Sequence, residues 1–122
     1  MAAPNIVNVT SIYGKTKGVA LDTTLTTALL ANGLNSGKLL KLNSIIISNI
    51  DGTNPADVTI SMHDGSNDYY LAKTVTVPAD STLIVLGKDA PIYLEENQTL
   101  RGGASNGGDL HCIISYEELD DA

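Results

Sequence analysis

The stretch ADVTISMHDGSNDYYLAKTVTV, residues 56–77, decides the fold. Val58, Ile60 and Met62 alternate with Thr59 and Ser61, the period-two pattern of a strand with one apolar and one polar face. Asp64-Gly65-Ser66-Asn67 follows, a set of residues that closes a hairpin because Gly and Asn tolerate positive φ and Asp binds its own backbone. YYLAKTVTV (69–77) then returns, with Leu71, Val75 and Val77 on one parity. Two antiparallel strands are written here without ambiguity of period.

Working outward, the same grammar repeats. KLLKLNSIIISNI (38–50) is a long strand candidate, ended by Asp51-Gly52-Thr53-Asn54-Pro55. Pro78-Ala79-Asp80 turns the chain into STLIVL (81–86), and Gly87-Lys88-Asp89 leads to APIYL (90–94). Glu95-Glu96-Asn97 is a turn, QTLRGGAS (98–105) a strand expected to bulge at Gly102-Gly103, and Asn106-Gly107-Gly108 a tight turn. DLHCIISYEE (109–118) is the last strand, with Cys112, Ile114 and Tyr116 on one face, and the acidic end from Glu117 is expected to fray.

Upstream the pattern is weaker. Leu21, Leu25 and Leu29 in VALDTTLTTALLA (19–31) have helical spacing, but four Thr residues and the lack of a capping pattern favour a strand. NIVNVTSIY (5–13) is apolar on both parities and reads as an arm or edge strand, cut off by Gly14-Lys15-Thr16-Lys17-Gly18. The expectation is an all-β chain: an antiparallel β-sandwich or jelly roll of about eight short strands with an extended N-terminal arm. Its divisions are an arm or edge strand at 1–17, the sandwich at 18–118 and an acidic tail at 119–122.

With 122 residues this is one domain, and with no Trp, no Phe and five Tyr its core has to be aliphatic. Residues 1–61 carry four Lys and three Asp, net +1; residues 62–122 carry three basic and eleven acidic groups, net −8. Acidic surface repels phosphate, so nucleic acid is not an expected partner. The N-terminus has no basic and apolar signal-peptide regions, and apolar runs of four residues are too short to span a membrane. The lone Cys112 cannot form an internal disulfide.

Several residues have the chemistry of a site without its spacing. Glu95 and Glu96 are neighbours, so on a strand they diverge and cannot flank one substrate as paired acid and base. RGGASNGG lacks both phosphate-loop spacings and precedes a strand rather than a helix. The pleat separates His111 from Cys112, His63 lies on another strand, and no CxxC or HxxxH spacing supports zinc. Asp64 to Asp68 lacks the calcium-loop frame. No catalytic residue, cofactor or metal ligand is expected, and the chain is read as non-enzymatic.

The apolar surplus points to assembly instead. IIISNI and LIVL are apolar on both parities, whereas a half-exposed antiparallel strand keeps one parity polar. Either these strands lie deep in the sandwich or their outer face meets another chain, and a homo-oligomer is expected. The candidate interface residues are Ile6, Val7, Val9, Ile12, Ile46 and Ile84.

Residues 38–118 also resemble a recurrent virion module of tailed bacteriophages. The resemblance is carried by Ile47-Ser48-Asn49 at a strand end, the strand before the Asp64-Gly65 turn, Tyr69-Tyr70-Leu71, Val77-Pro78-Ala79, the Ser81-Thr82-Leu83 strand and the closing Ile114-Ser115-Tyr116-Glu117-Glu118. It implies a small sandwich decorating or joining parts of a virion, first of all a capsid decoration (cement) protein. That protein would be a trimer bound to the major capsid protein, made in the host cytoplasm and located in the virion. A neck, tail or fibre-base adaptor is the alternative. A carbohydrate-binding module is a further one, though scattered Tyr residues and no Trp make a stacking platform hard to build.

Overall fold

The structure, a computed structural model, describes residues 9–120. The strands are β1 (Ser11–Ala20), β2 (Ala28–Asn32), β3 (Lys38–Asn49), β4 (Ala56–His63), β5 (Asp68–Val77), β6 (Thr82–Leu86), β7 (Ile92–Leu94), β8 (Gln98–Ala104) and β9 (Leu110–Asp120). All pairings are antiparallel. The larger sheet has the order β1-β9-β3-β6, with β7 also beside β3; the smaller is β2-β8-β4-β5. The two form an all-β sandwich, as its alternating strands imply.

Inward-facing residues of both sheets make the aliphatic core, with Leu42, Ile45, Ile47, Ile60, Leu100 and Ile114 among its fully buried members. Two buried asparagines tie the layers at opposite ends. Asn49, at the end of β3, donates from Nδ2 to the carbonyls of Val77 (2.9 Å) and Asn54 (3.1 Å) and accepts from the Asp51 N–H (2.9 Å). Asn32, in β2, donates to the carbonyls of Lys38 (2.8 Å) and Leu94 (2.9 Å) and accepts from Ser36 Oγ (2.5 Å). Each amide satisfies backbone groups that sheet pairing leaves over, which makes its burial affordable.

The structure corrects four local expectations. Residues 19–31 are not one strand: β1 ends at Ala20, 21–27 form a loop, and β2 begins at Ala28. Gly14 to Gly18 do not interrupt the chain: they lie inside β1, which pairs with β9 over ten successive residues from Ser11↔Asp120 to Ala20↔His111. Extended glycine suits an edge strand, and neither residue has positive φ. Gly102 and Gly103 pair regularly with Ile60 and Thr59, and the bulge of β8's neighbour lies in β2, between Ala28 and Leu30. These two glycines are needed for close approach instead. A Cβ on Gly102 would sit 2.6 Å from the Thr59 carbonyl oxygen, and one on Gly103 2.5 Å from that of Thr24. Finally, β9 does not fray at Glu117 but continues to Asp120. Leu119 is buried between its cross-strand partners Ile12 and Leu39, and Glu118 meets Lys15 at 3.3 Å and Lys38 at 3.6 Å.

Candidate interaction face

The residues with catalytic potential are dispersed. In the β7–β8 turn Glu96 Oε2 accepts the Gly37 N–H at 3.2 Å, while the Glu95 backbone N–H donates to Gln98 Oε1 at 2.8 Å, so both groups shape turns. Cys112 points into the core, where burial pushes its thiol up to about 12 and keeps it protonated. His111, its neighbour, points to the opposite face. His63 Nδ1 lies 3.2 Å from Asp68 Oδ1, and Asp68 Oδ2 lies 3.6 Å from Arg101, a staple across β4, β5 and β8 that alternation did not reveal. Asp64 accepts the N–H groups of Asn67 (2.8 Å) and Ser66 (3.0 Å); these hydrogen bonds hold its carboxyl below the usual value and close the hairpin. Among the described residues no group of three His, Cys, Asp or Glu is placed to hold a metal. No helix among them is long and apolar enough to cross a membrane. Tyr69 and Tyr70 face opposite sides of β5, and Lys73 lies 5.0 Å from the centre of the Tyr70 ring, so they make no shared stacking surface.

What the fold does concentrate is apolar surface on the outer face of the larger sheet. The register places Gly18, Ile113, Ile46 and Ile84 in one row across β1, β9, β3 and β6. Ile84 is 65% and Ile113 42% exposed. A depression of about 290 Å³ opens at the β1 end of this row, where Gly18 and Ser48 leave room beside His111 and Ile113. A second row on the same face contains Gly14, Glu117, Lys41 and Tyr93, the last 40% exposed. Between the rows lies a polar hollow of about 460 Å³, lined by Asn43, Ser44, Ser115 and Lys88 with Lys41 and Glu117. It forms where the β3 register shifts between Leu42 and Ser44 and Asn43 reaches Glu117 at 3.1 Å.

Of the sequence-predicted interface residues, Ile46 and Ile84 are direct neighbours in the first row, and Ile12 stands on the same face, 57% exposed, at its far end. Val9 is half-buried just before β1. Ile6 and Val7 lie outside the described residues. Ile113 and Tyr93, outside that set, stand in the same rows. Each belongs to a strand whose opposite parity is core, and only the cross-strand register shows that they line up with Ile46 and Lys41.

No family model matches the chain, and no curated protein matches it. Solved structures do. A subunit of the disulfide-linked pili of Bacillus endospore appendages matches with TM-score 0.51 and 12% identity over 92% of this chain and 90% of that one. A chain of the infectious bursal disease virus particle matches with TM-score 0.46 and 7% identity, over 91% of this chain and 31% of that one. A pentameric capsid protein from metagenomic phage sequences matches with TM-score 0.37 and 16% identity, over 97% of this chain and 64% of that one. These neighbours are β-rich proteins of pili and viral particles, and at 12% identity the match to the pilus subunit is a likeness of fold alone.

Proposed function

We propose that this chain is a non-enzymatic structural protein of a phage virion, acting as a capsid decoration (cement) protein. The observation that carries the reading is the outer face of the larger sheet, where both depressions and the exposed isoleucine row lie together. Contiguous exposed apolar rows mark interaction surfaces where singly scattered apolar side chains do not, which supports reading this row as a surface for another protein. The resemblance of residues 38–118 to phage virion modules supplies the setting. The strand order, which nests early strands against late ones, is read as that of a jelly roll. Its mechanism is burial of area: strand edges and the apolar face bury surface among copies of this chain and shell subunits and so oppose expansion or rupture.

The disulfide linkage named for the pilus neighbour does not carry over, because Cys112 is sealed in the core. A neck or tail adaptor could use the same face, and stoichiometry separates the two. Quantitative mass spectrometry of purified particles is expected to find on the order of hundreds of copies per head, as repeated decoration of a shell requires. About a dozen or fewer would place the chain at a unique vertex or tail, and its absence from particles would end the virion reading.

A further inference from the structure

We propose that the outer face of the larger sheet is self-complementary and pairs with the same face of a second copy about a two-fold axis parallel to β3 and β9. The inference rests on reading this face as an assembly surface and names a second copy as its occupant, in place of the trimer that the phage resemblance implies, which leaves the strand edges to meet the shell. A two-fold axis along the strands, lying in the plane between two stacked sheets, keeps each row opposite its own counterpart but reverses the strand order. β1 then faces the partner's β6 and β7, and β9 faces the partner's β3.

Each row reads as its own complement under that reversal. In the first, the protruding Ile84 at the β6 edge enters the depression beside Gly18 at the β1 edge of the partner copy, and Ile113 meets Ile46. In the second, Tyr93 meets the space over Gly14, where nothing lies within 4 Å of a Cβ position, and Glu117 meets Lys41. Every contact occurs twice, once in each direction. The face is large enough: strands of ten to twelve residues at about 3.4 Å per residue, in four columns about 4.8 Å apart, give roughly 650–780 Å², close to the area of about 800 Å² that each partner contributes to a standard specific interface.

Light scattering of the full chain over a concentration series tests the proposal. The expected result is a dimer that Ile84→Glu and the hole-filling Gly18→Leu each convert to monomer with unchanged circular dichroism. Lys41→Glu and Glu117→Lys are expected to weaken self-association individually, because each juxtaposes like charges. Mixed together they are expected to form a heterodimer about tenfold tighter than either homodimer, since both crossed pairs are then attractive. Lys41 and Glu117 are also neighbours within one chain, and that contact is the same before and after mixing, so recovery on mixing reports the contact between copies. A monomer at all concentrations, a trimer, a dimer indifferent to Ile84→Glu, or no preference on mixing would each overturn the two-fold pairing. None of these outcomes bears on copy number in particles, so the virion reading stands or falls separately.

Discussion

Replacing Gly103 by Ala is expected to be among the costliest single-methyl additions in the molecule. The new Cβ would lie 2.5 Å from the carbonyl oxygen of Thr24, 2.9 Å from its carbon and 3.0 Å from the carbonyl oxygen of Asp22. All are backbone atoms, so no side-chain rotation relieves the clash. The loop before β2 has to lift off β8, straining the hydrogen bonds Ala104 N–H to Asp22 O (2.8 Å) and Gly102 N–H to Thr27 O (3.0 Å) that hold it there. Overpacking costs about 1–3 kcal/mol and each weakened hydrogen bond up to about 1 kcal/mol, so a loss of about 2–4 kcal/mol is expected. At this chain length that lowers Tm by roughly 8–16 °C. Gly33→Ala is the control: nothing lies within 4 Å of its Cβ position and its φ is not positive. It is expected to change stability by less than about 1 kcal/mol, in the stabilising direction, by restricting the unfolded chain. Urea unfolding at low protein concentration measures both. A Gly103→Ala loss below about 1 kcal/mol, against an overpacking cost that starts there, or an equal loss in Gly33→Ala, would refute the close-approach account.

Further outcomes follow from other parts of the fold. Asn49→Leu leaves the Val77 and Asn54 carbonyls and the Asp51 N–H without their partner and is expected to cost about 2–4 kcal/mol by urea unfolding, more than a surface Asn change. Glu96→Gln keeps an acceptor for the Gly37 N–H and removes the charge from a carboxylate whose Oε1 is buried without a partner, so it is expected to be neutral or stabilising by up to about 1 kcal/mol. Cys112 is expected to resist thiol reagents at pH 8 in the native state and to react fully in urea. Because its folded value is raised from 9.0 to about 12, unfolding releases a proton above pH 9 and stability falls as pH rises from there toward 12. Asp51 and Asp64 are both held below their ordinary value of 3.8 by backbone N–H groups, so the stability they contribute is present above pH 3.8 and lost as pH falls through the lowered value. Asp64→Ala is expected to flatten the acid limb of the urea midpoint against pH.

The elements easiest to read in the sequence were those with one buried and one wet face bounded by Asp, Gly and Pro. β4 occupies residues 56–63, and its hairpin closes at Asp64 as alternation and turn chemistry imply. An arm or edge strand was legible near the start of the chain, but the run of β1 to Ala20 was hidden because its glycines read as breaks, and an edge strand exposed over most of its length has no apolar period to reveal it. The end of β9 was hidden for a related reason: its acidic residues suggested solvent, and only the register shows Leu119 covered by Ile12 and Leu39. In residues 98–105 the glycines suggested a bulge, because the loop that presses on Gly103 is about eighty residues away in sequence. The interaction face was half legible. Both-parity apolar runs flagged Ile46 and Ile84, whereas Ile113, Tyr93 and the glycine spaces opposite them emerge only when strands from distant parts of the chain are set side by side.

The most direct test of the account is hydroxyl-radical footprinting of the full chain, dilute and alone, against the assembled state, whether a dimer or a decorated particle. Burial of the outer face of the larger sheet predicts that oxidation of Ile84, Ile113 and Tyr93 falls sharply on assembly while Tyr69 and Tyr70, on the smaller sheet, stay as reactive as before. Unchanged oxidation of Ile84 and Tyr93 alongside protection of Tyr70 would contradict it, and would move the assembly surface to the other sheet.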